Sequence, residues 1–455
     1  MKIIIIAIIS IVGFTYANII DTVLFVGNVK TKDKFLQKIV SPIIKKKYDV
    51  CTDSLIYDAL KKTGLFGYIS VVSSKKIDND NVSIFVVVKE NNYLSVGNAG
   101  LGINSMEYGE KSDSWLWFNL DVNYKNFLGI GHSLNFTGRV WRDRYFGANW
   151  HIPIGITPYF FEVGGLIGRN PSLVFAWETA PYFNTDFRFG RYIGNNQEIY
   201  IETSPKYSKY NNMLKVDDKW KIHSTDEFLE IYEKLYYSLD YKDKNYPPLL
   251  ATFFSVGLST NKIMAYIEDG KKKDFWNIDT DFKQNIPIFQ KIRHSLYIRS
   301  RISITPWGEH NKYDGFLSGG QYYIRGWKDD ILGSKDNYVF NNSILGTAEY
   351  QFNIFTFPSI KFRWLSWYDD LLSNFSPILA GALFFDAGYL FKEISSPLQC
   401  ANTNAGSVGI SLRLLQPLMK IGGTLEFAWQ VIGDKKYYNE NRRIPVIHIG
   451  FVSQF

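Results

Sequence analysis

Residues Leu317 to Asp329 read Leu-Ser-Gly-Gly-Gln-Tyr-Tyr-Ile-Arg-Gly-Trp-Lys-Asp, and Arg325 is the residue whose surroundings call for chemistry. That chemistry is ion pairing. Gly319 and Gly320 permit positive φ and close backbone approach, while Tyr322, Ile324 and Trp327 flanking Arg325-Gly326 are too apolar for a free loop tip. The mixture predicts a loop folded inward, with its arginine needing a buried partner. Covalent chemistry has no comparable candidate. The chain carries no Gly-x-Ser-x-Gly elbow, phosphate loop or metal-spaced histidines. Its six histidines are scattered at 132, 151, 223, 294, 310 and 448. Cys51 and Cys400 form neither a disulfide framework nor a ligand pair. The expectation is a protein that is not an enzyme, with no catalytic residues, metal or cofactor.

The elements that must position such a loop are legible in the composition. Aromatic residues make up 17% of the 455 while charged residues stay at 21%. That balance, without long apolar runs, fits a transmembrane β-barrel with aromatic girdles; a large soluble sandwich or propeller shares the richness. The net charge of +7 is spread along the chain, with no basic block interleaved with aromatics, so nucleic acid is set aside. Met1-Lys2, the apolar run Ile3 to Val12 and a small residue at Ala17 predict a signal peptide over residues 1–17. The run falls short of the roughly 20 apolar residues of a spanning helix. An exported chain without a helical anchor crosses a membrane only as a barrel.

Residues 19–90 differ from the remainder. Val23 to Val26 reads as a strand, Thr31 as a cap for a helix with Phe35, Leu36, Ile39 and Val40 on one face, and Thr52 or Asp53 as a cap for a second. Gly64 ends that helix, and Tyr68–Ser73 and Val82–Lys89 alternate as strands. The β-α-α-β-β order, with Thr63-Gly64-Leu65-Phe66 and Val86 to Glu90, resembles a POTRA domain; a plain α+β spacer would read similarly.

From residue 95 to 455, segments of about ten residues alternate with period two, as membrane strands require. In His294–Ile304, Leu296, Ile298, Ile302 and Ile304 share one face, and Tyr297, Arg299, Arg301 and Ser303 the other. Eleven strands precede the Arg325 loop, beginning near Ser95, Trp115, His132, Phe146, Phe160, Thr185, Gln197, Glu227, Ala251, Asp274 and Arg293. Five follow, near Asn341, Pro377, Ala405, Gly422 and Ile444, for a total of sixteen antiparallel strands. Residues 210–226 read as one of the longer outer loops, and Leu173–Trp177 as a strand or part of a loop.

An exported chain with a POTRA-like domain, about sixteen strands and Ile324-Arg325-Gly326-Trp327 after the eleventh resembles the BamA/TamA superfamily of outer-membrane assembly and translocation proteins, also called the bacterial surface antigen family. Thr347-Ala348-Glu349-Tyr350 resembles that family's strand with an inward glutamate. Leu383-Phe384-Phe385-Asp386-Ala387-Gly388 resembles its strand with an inward aspartate. The resemblance implies that Glu349 and Asp386 hold Arg325. On the residues alone both acids could equally be ordinary lumen residues. It implies further a lateral seam between first and last strands, marked by Gly97, Gly100, Gly102, Gly450 and Phe455, although tight barrel curvature would also select those glycines. Two features depart from the pattern: there is room for a single POTRA-like domain, which leaves accessory assembly subunits open, and Ser453 stands two before Phe455 where the family has an apolar residue.

The function so implied is insertion and folding of β-barrel proteins in the outer membrane. The partners would be unfolded outer-membrane proteins, met by a periplasmic POTRA-like domain, and the lipid bilayer. The alternative is a translocator that secretes a specific polypeptide or moves lipid.

Overall fold

The computed structural model describes residues 19–44, 48–49, 51–75, 81–91, 94–108, 111–141, 144–155, 157–171, 179–194, 196–216, 219–242, 250–266, 274–310, 324–327, 340–358, 376–395, 402–416, 421–433 and 444–452. The predicted signal peptide, Leu173–Trp177, Gly319, Gly320, Cys400 and Phe455 lie outside them. The chain divides into two compact units, taken here in turn.

The first is an α+β unit of β1 (Ile19–Val26), α1 (Asp33–Ile44), α2 (Thr52–Lys62), β2 (Phe66–Lys75) and β3 (Asn81–Glu90). The sheet order is β1-β3-β2, with β1 parallel and β2 antiparallel to the central β3. Strict alternation makes β3 the centre: Val82, Ile84, Val86 and Val88 are buried against Leu36, Ile39 and Val40 of α1 and Ile56 and Leu60 of α2. On the opposite sheet face Leu24, Val26, Tyr68, Val72, Phe85 and Val87 are exposed. Pro42 cannot donate to the Lys38 carbonyl, and the Ser41 hydroxyl does so instead at 2.9 Å, so the helix continues to Ile44. Gly64, at φ +67°, ends α2 as expected. The caps differ from expectation. The Thr31 hydroxyl donates to Glu90 Oε1 instead of capping α1. Thr52 is the first residue of α2, and its hydroxyl exchanges hydrogen bonds with Asp49 in the preceding turn. In each case the hydroxyl donates to a carboxylate in a charge-assisted bond.

The second unit is the barrel. Its strands are β4 (Leu94–Tyr108), β5 (Lys111–Phe127), β6 (His132–Trp141), β7 (Tyr145–Pro153), β8 (Tyr159–Pro171), β9 (Thr179–Ile193), β10 (Gln197–Val216) and β11 (Lys219–Lys242). They continue as β12 (Ala251–Tyr266), β13 (Phe275–Phe289), β14 (His294–Gly308), β15 (Asn342–Thr356), β16 (Ile378–Phe391), β17 (Asn402–Gln416), β18 (Ile421–Gly433) and β19 (Val446–Val452). These sixteen strands among the described residues form one closed meander, eleven before the Arg325 loop and five after it. The alternation has the two-solvent form a membrane barrel needs. On β17, Val408, Ile410, Leu412 and Leu414 are exposed outward, while Ser407, Ser411 and Arg413 are buried inward.

Residues 210–226 are not a loop. Antiparallel pairing of β10 with β11 runs on through Tyr210↔Asp226 to Val216↔Lys219. The neighbours stop earlier, β9 at Ser208↔Tyr182 and β12 at Phe228↔Tyr266. Beyond those points the hairpin is, among the described residues, a two-stranded ribbon, with Lys209 Nζ and Glu227 Oε1 paired across its base at 2.6 Å. By topology it projects from the same barrel end as the β14–β15 loop.

β19 pairs with β18 from Gly422↔Val452 to Ala428↔Val446. It closes the barrel against β4, with Gly450 opposite Gly102. Of the glycines expected at the lateral seam, Gly102 and Gly450 face each other across it. Gly97 and Gly100 lie on β4.

Candidate functional site

Five consecutive strands each turn one ionisable side chain inward toward the same point. These are Glu349 on β15, Asp386 on β16, Arg413 on β17, Glu426 on β18 and His448 on β19, all buried. Residues Ile324–Trp327 of the β14–β15 loop enter among them. Arg325 binds Asp386 through both ends of its fork, Nε to Oδ2 and Nη2 to Oδ1 at 2.9 Å each. Its backbone N–H adds a third bond to the same carboxylate at 3.2 Å. Nη1 reaches Glu349 Oε2 at 2.9 Å and Glu426 Oε1 at 3.2 Å. The guanidinium also lies 3.4 Å over the centre of the Phe384 ring, two residues before Asp386 on the same face. A planar, five-donor cation suits this multiple carboxylate arrangement, and a lysine could not reproduce it.

The structure thus brings together the three residues singled out in the sequence, Arg325, Glu349 and Asp386. It adds three that sequence reasoning did not place there. Arg413 grips Glu349 at 2.5 and 2.7 Å and lies 3.7 Å from Glu426 Oε1. Glu426 Oε2 is buried without a hydrogen-bond partner. His448 Nε2 donates to the main-chain oxygen of Arg325. A signal for all three was present. Leu412-Arg413-Leu414, Leu425-Glu426-Phe427 and Ile447-His448-Ile449 each set one polar residue between two apolar ones on a strand, which turns it into the lumen.

The apolar residues of the motif are seated as specifically as the charge. Ile324, Trp327, Phe340, Leu345, Leu390 and Ala405 form a buried cluster, and Trp327 is fully covered. Three glycines make room. A Cβ on Gly388 would stand 2.3 Å from Ile324 Cδ1, and one on Gly433 2.5 Å from the Trp327 ring. On Gly326 itself it would stand 2.5 Å from Ser407 Cβ and 3.1 Å from the Trp429 carbonyl oxygen. The obstacles differ in kind. Ile324 Cδ1 ends a side chain that can turn away, whereas Ser407 Cβ and Trp429 O are fixed by two paired strands. Gly326→Ala is therefore expected to cost more than Gly388→Ala, within the roughly 1–3 kcal/mol of overpacking. Thermal midpoints of the heat-modifiable band on semi-native gels measure the difference, and equal midpoints contradict it.

The lock fixes a loop inside a barrel and ties that loop to the last five strands, ending at the seam. A sequence model described as an Omp85 superfamily domain matches residues 126–451. Among solved structures, BamA from Haemophilus ducreyi lacking POTRA domains 1–3 is 16% identical at TM-score 0.63, over 96% of this chain and 84% of that one. CdiB from Acinetobacter baumannii is 10% identical at TM-score 0.59, over 96% of this chain and 74% of that one. CdiB from Escherichia coli is 11% identical at 0.53, over 95% and 90%.

Proposed function

The chain belongs to the Omp85 superfamily, whose members are outer-membrane β-barrel proteins of assembly or translocation, and from that premise we propose that it inserts and folds other β-barrels in the outer membrane. The observation that carries insertion is the seam: the first and last strands of the barrel meet glycine to glycine at Gly450↔Gly102. Glycine weakens strand packing, so this seam is where a client strand would add by backbone hydrogen bonding, and no enzymatic step is required. The α+β unit acts as a periplasmic POTRA-like domain. Its sheet ends in two edge strands, β1 and β2, and an uncovered apolar face, which suit extended, apolar client polypeptide.

A second reading, translocation of one secreted polypeptide, is favoured by the lumen wall outside the lock, on β8–β10 and β13–β14. There Arg188 joins Glu162 and Glu202 at 2.8 and 2.6 Å, and Arg299 joins Asp281 at 3.0 Å, giving a wet, charge-balanced lining. Depletion separates the two. Insertion predicts general loss of heat-modifiable outer-membrane barrels within a few generations, and normal barrel levels with loss of one secreted protein would sink it.

A further inference from the structure

The lock extends beyond the loop. We infer that Arg413 and His448 are positioning residues that make seating of the Ile324–Trp327 loop and placement of the last strand, β19, a single event. This goes beyond the proposed function and holds for either class of client.

Three observations carry it. His448 Nε2 gives its hydrogen bond to the carbonyl of Arg325, so β19 grips the loop's main chain independently of the arginine side chain. His448 stands directly opposite Glu426 in the β18–β19 ladder, and Glu426 is itself a ligand of Arg325 Nη1. His448 is two residues from Gly450, where β19 meets β4, and so shares its face of the strand. Arg413 supplies the second half. Three buried carboxylates converge on Arg325, and one guanidinium leaves two negative charges uncompensated; Arg413, bonded to both oxygens of Glu349, removes one of them. Without Arg413, Glu349 would keep only the neutral Gln351 amide on Oε1, at 2.6 Å, and its uncompensated charge would compete with Asp386 for Arg325. A loop that leaves this cluster strips β19 of its luminal partner, and a β19 that moves strips the loop of a backbone donor. Coupling of this type is reciprocal by necessity.

Hydrogen exchange measured by mass spectrometry on the purified full-length protein tests both directions. The readouts are peptides covering Ile324–Trp327 and Val446–Val452. His448→Leu, which removes the donor, is expected to speed exchange about tenfold in both peptides, while His448→Gln, which keeps an N–H, stays within about threefold of the parent. Arg413→Met should accelerate the same two peptides. From the loop side, Gly326→Ala should accelerate Val446–Val452 although the atoms nearest its added methyl lie on β17 and β18, and this variant remains informative if the histidine variant does not fold. Faster exchange of one peptide with the other unchanged, from either side, overturns the coupling. Equal effects of His448→Leu and His448→Gln overturn the hydrogen-bond account of it.

Discussion

Arg325→Ala is expected to abolish stable assembly of the barrel, whereas Arg299→Ala should leave it close to the parent. The two arginines are both luminal, and the difference lies in what each leaves behind. Arg325 is 7% exposed and its partners are less so, with Asp386 at 0% and Glu349 at 3%. Removing it leaves Asp386 with the Ser407 hydroxyl at 3.4 Å and no cation in its place, and leaves Glu349 and Glu426 to share Arg413. Breaking a buried pair from one side costs roughly 3–5 kcal/mol, a large share of the 5–15 kcal/mol by which a protein is stable. Arg299 and its partner Asp281 are about one-fifth exposed, and Asp281 keeps Lys283 at 3.6 Å and Arg301 at 3.7 Å. A solvated pair with two substitutes is worth about 0–1 kcal/mol. Heat-modifiability and membrane abundance of the two variants give the answer; parental behaviour of both would sink the lock as a structural determinant.

The second large effect is expected at the seam. Gly102 and Gly450 are register partners, and Cα atoms of paired antiparallel residues lie about 4.5–5.5 Å apart, within the range a disulfide spans. Cysteines at 102 and 450, in a background with Cys51→Ser and Cys400→Ser, should therefore crosslink under mild oxidation without moving the backbone. If clients leave through the seam, the oxidised protein keeps its heat-modifiability, loses insertion activity, and regains it on reduction. Full insertion by protein shown to be completely crosslinked contradicts the lateral route. Secretion that survives crosslinking would instead direct attention to the lumen.

Much of this architecture was legible because a membrane barrel writes its two solvents into its sequence. On β14 and β17 one face meets lipid and the other water, so strand positions follow from alternation. The same rule explains the misreading of residues 210–226. A ribbon standing clear of its neighbours has no lipid face, its sequence need not alternate, and Lys-Tyr-Asn-Asn followed by Asp-Asp and Lys-Trp-Lys passes for a loop. The lock was half legible. Arg325, Glu349 and Asp386 were reached through motif resemblance, but Arg413, Glu426 and His448 lie outside any motif. Their strands read as ordinary alternation, and only strand register shows that five neighbours converge on one point. Thr31 and Thr52 illustrate a local limit: a hydroxyl near a helix start reads as a cap until a carboxylate distant in sequence, or in the preceding turn, claims it.

The ribbon also bears on how copies of this protein coexist at high density in one membrane. Past Ser208 and Phe228 no strand among the described residues pairs with its two edges, and bare edges invite sheet growth from one molecule to the next. Lys209, Lys215, Lys219 and Lys221 are distributed along both arms. A second ribbon docking edge to edge would bring two segments of like charge together, a repulsion that natural sheet proteins use to stay apart. The lysines that hid the hairpin from a reading of the sequence would thus keep its edges solitary.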